Sequence, residues 1–194
     1  MAIVQCVNCE VRVCEDSDIE NTPEFCPRRH AREALEEAQE ISASDPEVSK
    51  YIDVAASVGR EGRGQWTRVQ ELAEFAKRIG VSKLGLAFCV GLKEEATMLA
   101  KILESHGFDL TSVACTVEGG CNPVGQALIL NQMRTELNIS MGLCMGDDIV
   151  FSKFSQAPVT TIVVKDRATY HNPIAPLASK SPFPTLLKSV ISDQ

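Results

Sequence analysis

Eight of the 194 residues are cysteines, and their spacing is the first sign of chemistry in this chain. Cys6, Cys9, Cys14 and Cys26 follow the pattern C-x2-C-x4-C-x11-C. A C-x2-C pair lets two thiolates from one tight turn face a single metal ion, and two further cysteines complete a tetrahedral site or hold a cluster. Glu10, Glu15, Asp16, Asp18, Glu20 and Glu24 lie between them, with few core-forming residues. A segment that buries so little apolar surface needs a staple, and a metal ion supplies one. Zinc is the expected ion, because closed four-thiolate sites are usually structural. An iron–sulfur cluster suits the same ligands and is the alternative.

The other four cysteines, Cys89, Cys115, Cys121 and Cys144, are spread along the chain, so what matters is which elements carry them. Lys83 to Cys89 is a short apolar run that reads as a strand. Ala96, Leu99, Ala100 and Leu103 mark a helix face after it, ended by Gly107. Asp109 to Val117 reads as the second strand. Asn122-Pro123 opens the next helix, as N-cap and first helical residue, with Val124, Ala127, Leu128 and Leu137 on its apolar face. Asn138 to Cys144 is the third expected strand, with a short helix from Gly146-Asp147-Asp148 through Phe154. Val159 to Lys165 is the fourth. Strands alternating with helices imply right-handed crossovers and a buried parallel sheet. Sites in such sheets form beyond the C-terminal strand ends, and all four cysteines map there. The helix start at Asn122 is expected to lower the pKa of Cys121. Free cysteines also serve as small buried hydrophobes, so packing competes with a second metal site, a cluster or a reactive thiol. Asp147, Asp166 and His171 follow strands at the same edge as accessory candidates, His171 as a metal ligand or general base. His30 is a further ligand candidate beside the first cysteine set.

Ahead of the sheet, Ala31, Ala34, Leu35, Ala38 and Ile41 share a helical face within Arg29 to Ile41. Asp45-Pro46 reads as the cap and first residue of a helix ending near Gly59. Gly59 to Gly64 reads as a connector whose glycines match no phosphate-binding fingerprint. Trp66, Val69, Leu72, Ala73, Ala76 and Ile79 form a strongly amphipathic helix with the tryptophan expected in the core. One short helix is expected in the tail, around Leu186 to Ile191.

Composition narrows the classes. Apolar residues make up 44% and charged residues 23%, the balance of a globular chain. A net charge of −7 argues against a nucleic-acid surface, which needs a basic footprint. The longest apolar runs fall far short of the roughly 20 residues that span a bilayer. The first residues lack the basic-then-apolar pattern of a signal peptide, so the expected location is cytoplasmic, where cysteines serve metals or thiol chemistry before disulfides.

Several blocks together resemble one family. They are Cys6-x2-Cys9-x4-Cys14 with Pro23 and Cys26-Pro27, the run Gly85 to Leu92, Cys121-Asn122-Pro123, Gly142-Leu143-Cys144, Ala157-Pro158-Val159-Thr160, and Lys165-Asp166-Arg167 followed by His171-Asn172-Pro173. They resemble an uncharacterised prokaryotic family, domain of unknown function 1847, described as metal-binding. The resemblance implies metal at Cys6, Cys9, Cys14 and Cys26, and a shared site around the later blocks. It carries no established activity. Family members often have histidine where this chain has Asp147, and the stretch between Cys115 and Cys121 is shorter here.

The expected architecture is therefore α/β: a three-layer, Rossmann-like parallel sheet of about four strands with helices on both faces. A cysteine-rich knuckle occupies 1–28, a helical segment packing on the core 29–80, and the α/β domain with its proline-rich tail 81–194. The expected function is a cytosolic metal-binding protein whose partner is a metal ion. An iron–sulfur or thiol-based redox enzyme is one alternative, and a zinc-structured interaction module without catalysis is another. Substrate, protein partner and homo-oligomer formation are left open, and no reaction is assigned.

Overall fold

The computed structural model describes residues 4–11, 14, 22–117 and 119–178. The chain divides into two compact units, Met1–Ser57 and Val58–Gln194. The helix expected around Leu186 to Ile191 lies outside the described residues.

In the first unit Cys6–Asn8 form a tight 3-10 turn, closed by the Cys9 N–H on the Cys6 carbonyl at 3.1 Å. Helix α1, Pro27–His30, starts after Cys26 with proline at its first position, where a missing N–H costs nothing. Helix α2, Arg32–Ser44, follows at once. The single helix expected over Arg29 to Ile41 is thus two, because Ala31 leaves helical geometry at φ −131° and ψ 35°. Helix α3, Pro46–Glu61, whose last four residues from Val58 on belong to the second unit, begins where Asp45 Oδ1 accepts the N–H groups of Glu47 at 2.9 Å and Val48 at 3.2 Å. It runs through Gly59, an exposed helical position where glycine is tolerated at modest cost.

In the second unit helix α4, Arg68–Ile79, starts on a reciprocal capping box between Thr67 and Gln70. Trp66 lies ahead of that cap and is half-buried, not in the core as its type suggests. The Arg78 guanidinium sits 5.9 Å from its ring centroid and also pairs with Glu61, so this tryptophan works as a cation–π platform.

Strand β1, Lys83–Phe88, helix α5, Lys93–Ser105, and strand β2, Asp109–Ala114, come next. Helix α6, Pro123–Gln132, strand β3, Leu137–Met141, helix α7, Met145–Phe154, and strand β4, Val159–Val163, complete the sheet. All pairings are parallel, in the order β2-β1-β3-β4. The chain steps outward from β1 to β2, then returns past β1 to β3 and β4. Right-handed crossovers in opposite directions place the intervening helices on opposite faces.

Burial follows the two-residue period of the strands. Leu84, Leu86, Leu137, Ile139 and Met141 pack with α4 and α5 on one face. Ala87 and Val113 pack with Ala127 and Leu130 of α6 and Phe151 of α7 on the other. The architecture is the expected three-layer α/β arrangement. Helix α6 carries apolar residues on all sides, so periodicity alone cannot choose its face. The buried set is Gln126, Ala127 and Leu130, Leu128 is exposed, and Leu137 opens β3.

Two buried polar residues on β3, Asn138 and Ser140, are both hydrogen-bonded. Asn138 accepts from Thr135 Oγ1 at 2.7 Å and donates to Ser155 Oγ at 2.8 Å. That amide fills the space beside Gly85, where a Cβ would lie 2.0 Å from Asn138 Oδ1. At the N-terminal end of the strands, the Lys83 and Ser82 backbone N–H groups hold the Glu136 carboxyl below its usual range.

Every strand stops short of its apolar run. β1 ends at Phe88, one residue before Cys89, and β2 ends at Ala114, not Val117. β3 ends at Met141, not Cys144, and β4 at Val163, not Lys165. At β3 the cause is local: Gly142 adopts φ +62° and turns the chain out of the ladder. The residues freed in this way carry the site. Among the described residues, no helix is long and apolar enough to cross a membrane.

Candidate functional site

Cys89 and Cys115 sit one position beyond the ladder and are still tied to it. The Cys89 N–H donates to Met141 O at 3.0 Å and the Cys115 N–H to Phe88 O at 2.9 Å. The Asn122 N–H returns to Cys115 O at 2.8 Å, so the loop between β2 and α6 brings Cys121 back to the same edge. Asn122 caps α6 through the Gly125 N–H at 2.7 Å, and Cys144 is the N-cap residue of α7. Both helices therefore aim their N-terminal ends at the cysteines. Strand order reverses between β1 and β3, and the crevice beyond such a reversal is where open α/β sheets bind ligands.

The side chains form a continuous polar cluster. Lys165 Nζ donates to Cys89 Sγ at 2.6 Å, and the Val90 N–H to Cys115 Sγ at 3.4 Å. Cys115 stands close enough to influence both Cys89 and Cys121, and Asp147 close enough to influence Cys121. Arg167 Nη2 approaches Cys144 Sγ at 3.4 Å. Within this cluster the donor atoms of Cys121, Cys144 and Asp147 all lie within 4.8 Å of one another. Asp148, next in sequence, turns inward instead and accepts from the buried Ser140 hydroxyl.

The electrostatics correct one expectation. The helix start at Asn122 does not lower the Cys121 pKa. The charge of Cys115 is the largest influence on this thiol, followed by burial and the charge of Asp147, and together they push it up to about 11. Like charges one contact away outweigh a helix end. Cys89 goes the other way. Burial favours its neutral thiol, but hydrogen bonds from Lys165 and the Gly91 backbone, with the Lys165 charge, hold its pKa below the ordinary value. Hydrogen bonding and the negative charge of Cys144 raise the pKa of Arg167.

Asp166 and His171 build the loop after β4. Asp166 Oδ1 accepts the N–H groups of Ala168 at 2.9 Å and Thr169 at 3.1 Å, and His171 Nδ1 accepts the Asp166 N–H at 3.2 Å. Tyr170 and His171 both sit at positive φ, 52° and 65°, a strained pair for residues other than glycine. In the first unit Cys9 and Cys26 are half-buried, and Cys6 and Cys14 are exposed. None of those four belongs to the donor group above. The His30 ring nitrogen Nε2 donates to the Glu24 carbonyl.

Arg167 follows the fourth strand at this edge and Lys165 belongs to a block of the family resemblance, but the partners of both, and any place for Gln126, come from the structure alone. Lys165 and Arg167 stand two apart in extended chain past β4, the period that sends two side chains the same way, and that was the available signal. Gln126 gave only one sign, an amide inside an apolar helix. It is fully buried, and its Nε2 donates to Val113 O at 2.8 Å and Phe88 O at 3.3 Å, next to the two inner cysteines, while its Oε1 has no hydrogen-bond partner. Gln126→Leu removes that donor from two buried carbonyls at nearly constant volume. It is expected to lower stability by about 1–3 kcal/mol, read from the midpoint of denaturant unfolding.

A family model described as protein of unknown function (DUF1847) matches residues 26–120 and 116–162. The chain belongs to the DUF1847 family. It is also 37% identical over 204 residues to the uncharacterized protein MJ0455 of Methanocaldococcus jannaschii, covering 95% of this chain and 99% of that protein. No solved structure matches. The stretch of this DUF1847 chain that matches the family model contains Cys26 and all four sheet-edge cysteines, and Cys6, Cys9 and Cys14 precede it.

The donor chemistry at the DUF1847 edge fits a thiophilic metal ion. Two sulfurs and a carboxylate oxygen suit zinc, whose bond lengths of about 2.0–2.3 Å need donors roughly 3.5–3.8 Å apart. Donors already within 4.8 Å require only a small contraction. Two thiolates and a carboxylate would outweigh a divalent ion by about one negative charge, and Lys165 and Arg167 stand beside the cluster to offset it.

Proposed function

We propose that this DUF1847 chain is a metal-binding protein with two thiol sites of different character. Cys6, Cys9, Cys14 and Cys26 hold zinc in a closed structural site that staples a segment poor in apolar residues. Cys121, Cys144 and Asp147 hold a second metal in an open site at the sheet edge, with Cys89 and Cys115 directly behind. The observation that carries this reading is the convergence of those three donors within 4.8 Å at the reversal of strand order. An open position is what separates a metal site able to take a ligand from a structural one. When bound, the metal would supply a Lewis acid there. Asp147 adds a hard oxygen to two soft sulfurs, and the chain's cations keep excess negative charge from building up.

The test is elemental analysis of the full chain purified without air. Roughly two metal ions per chain are expected, one for each cysteine set. Cys144→Ser and Asp147→Asn are each expected to remove one of them and leave the other. Their affinity at the edge should fall at least about 100-fold, since even outer partners of a metal ligand are worth about 10–100-fold. Unchanged metal content in both variants would overturn the edge site.

A second reading is favoured by one specific observation. Four sulfurs at one edge, with a lysine and an arginine against two of them, also suit an iron–sulfur cluster in a redox protein. Absorption at about 400 nm in the same sample selects the cluster, and a colourless, zinc-containing sample excludes it.

A further inference from the structure

We propose that Cys89 and Cys115 form a redox-active dithiol that exchanges with small disulfides, an activity separate from metal binding at Cys121, Cys144 and Asp147. Phe88 and Ala114 are register partners on adjacent parallel strands. Cys89 and Cys115 each follow one of them, so they stand side by side one step beyond the ladder. Neighbouring strands run about 4.7–4.9 Å apart, which falls inside the Cα separation of about 4.4–6.8 Å that a disulfide spans. Both side chains lie on the same face of the sheet: Cys115 belongs to the core cluster there and Cys89 packs against it. A bond between them therefore needs rotation of side chains and not movement of strands.

The surroundings give the two thiols different parts. Cys89 is half-buried and can be reached from solvent, and its sulfur holds the Lys165 ammonium at 2.6 Å. Cys115 is 3% exposed, so an incoming disulfide reaches it only through Cys89. The Val90 N–H on Cys115 Sγ stabilises negative charge on that sulfur as it forms. Gln126 bonds the carbonyls of Phe88 and Val113 and so fixes the backbone just ahead of both cysteines.

In the exchange, the Cys89 thiolate attacks one sulfur of a small disulfide. A bond from Cys89 Sγ to that sulfur forms, the original sulfur–sulfur bond breaks, and the first small thiolate leaves. Cys115 gives its proton to that leaving thiolate. Its own thiolate then attacks Cys89 Sγ and expels the second small thiolate. Two protein thiols are oxidised, one small disulfide is reduced to a thiol and a thiolate, and no other reactant enters.

The experiment is disulfide mapping on the full chain after exposure to oxidised glutathione, blocking of free thiols, and digestion with trypsin and a Glu-specific protease. Cleavage at Glu118 separates Cys115 from Cys121. The expected product joins the Cys89 and Cys115 peptides. Cys115→Ser should instead accumulate a glutathione adduct on Cys89, because the second attack is lost. Cys121→Ser and Cys144→Ser should keep the Cys89–Cys115 link while losing the edge metal, so failure of the metal reading and failure of this one are told apart. A Cys115–Cys121 link, or Cys89 and Cys115 both recovered as free thiols from the native chain, overturns the proposal.

Discussion

Gly142→Ala is expected to lower the stability of the α/β unit by about 2–5 kcal/mol, which is large for one added methyl group. Two independent costs add. The residue sits at φ +62°, where a Cβ approaches the following carbonyl and costs about 1–2 kcal/mol. The new Cβ would also lie 2.2 Å from Leu92 Cδ1, a side chain that is itself buried. Overpacking of that kind costs about 1–3 kcal/mol, because neighbours must leave their preferred rotamers. The same Cβ would come within 4.0 Å of Cys89 Cβ, and the Gly142 N–H is bonded to Val163 O at 2.7 Å. Relief of the clash therefore shifts the segment that carries both Cys89 and Cys144. Denaturant midpoints at constant m measure the first effect, and metal content measures the second. Gly146→Ala is the control. Nothing lies within 4 Å of its added Cβ, and alanine is the better helix former, so that variant is expected to be neutral or slightly more stable. Equal midpoints for Gly142→Ala and the native chain would refute the argument.

Lys165→Met should shift the reactivity profile of Cys89 to higher pH and slow its alkylation severalfold at neutral pH. In the native chain two forces oppose each other at this thiol. Burial favours the neutral form, and the Lys165 ammonium, with the Gly91 N–H, favours the thiolate and wins. Methionine keeps most of the side-chain length and packing but removes the charge and the donor, so burial is left with weaker opposition and the pKa rises. The sign is thus fixed: a smaller thiolate fraction at any pH below the pKa of the native thiol. Part of the loss in rate is returned, since a more basic thiolate is intrinsically more nucleophilic, with a Brønsted slope of about 0.4–0.5. The rate against pH at Cys89, followed by peptide mapping, separates the two effects. An unshifted profile would show that Lys165 does not govern this thiol. Arg167→Met is the comparison, because Arg167 bonds Cys144 and should leave the Cys89 midpoint closer to native.

Much of the fold was readable because its signals are local. The apolar runs, Asp45-Pro46, Asn122-Pro123 and Gly80 each act through bonds within a few residues, and the caps at Asp45 and Asn122 are where the spacing put them. Strand ends are not readable in the same way, because an apolar run continues wherever there is core to bury, while a ladder lasts only as long as its neighbour does. Trp66 departs from expectation for a related reason: its residue type says buried, but the cap at Thr67 starts the helix after it, and Arg78 offers a polar surface for the ring.

What the sequence by itself determined is an alternation of strands and helices that delivers Cys89, Cys115, Cys121 and Cys144 to the C-terminal ends of the strands, together with the family resemblance that the comparisons uphold. The period of the apolar residues carries that information, and no contact between distant parts is needed to read it. Only the tertiary structure decided how the cluster is wired. Asp147 and Asp148 are equivalent in the sequence, yet one reaches the thiols and the other the buried Ser140. Lys165 and Arg167 gain their meaning from Cys89 and Cys144, which lie 76 and 23 positions away. The helix start at Asn122 suggested an easily ionised Cys121, and neighbouring negative charges reversed the sign. Each of these outcomes depends on distances of a few ångströms between segments far apart in the chain, and electrostatic energies at that range are set by packing and not by spacing along the sequence.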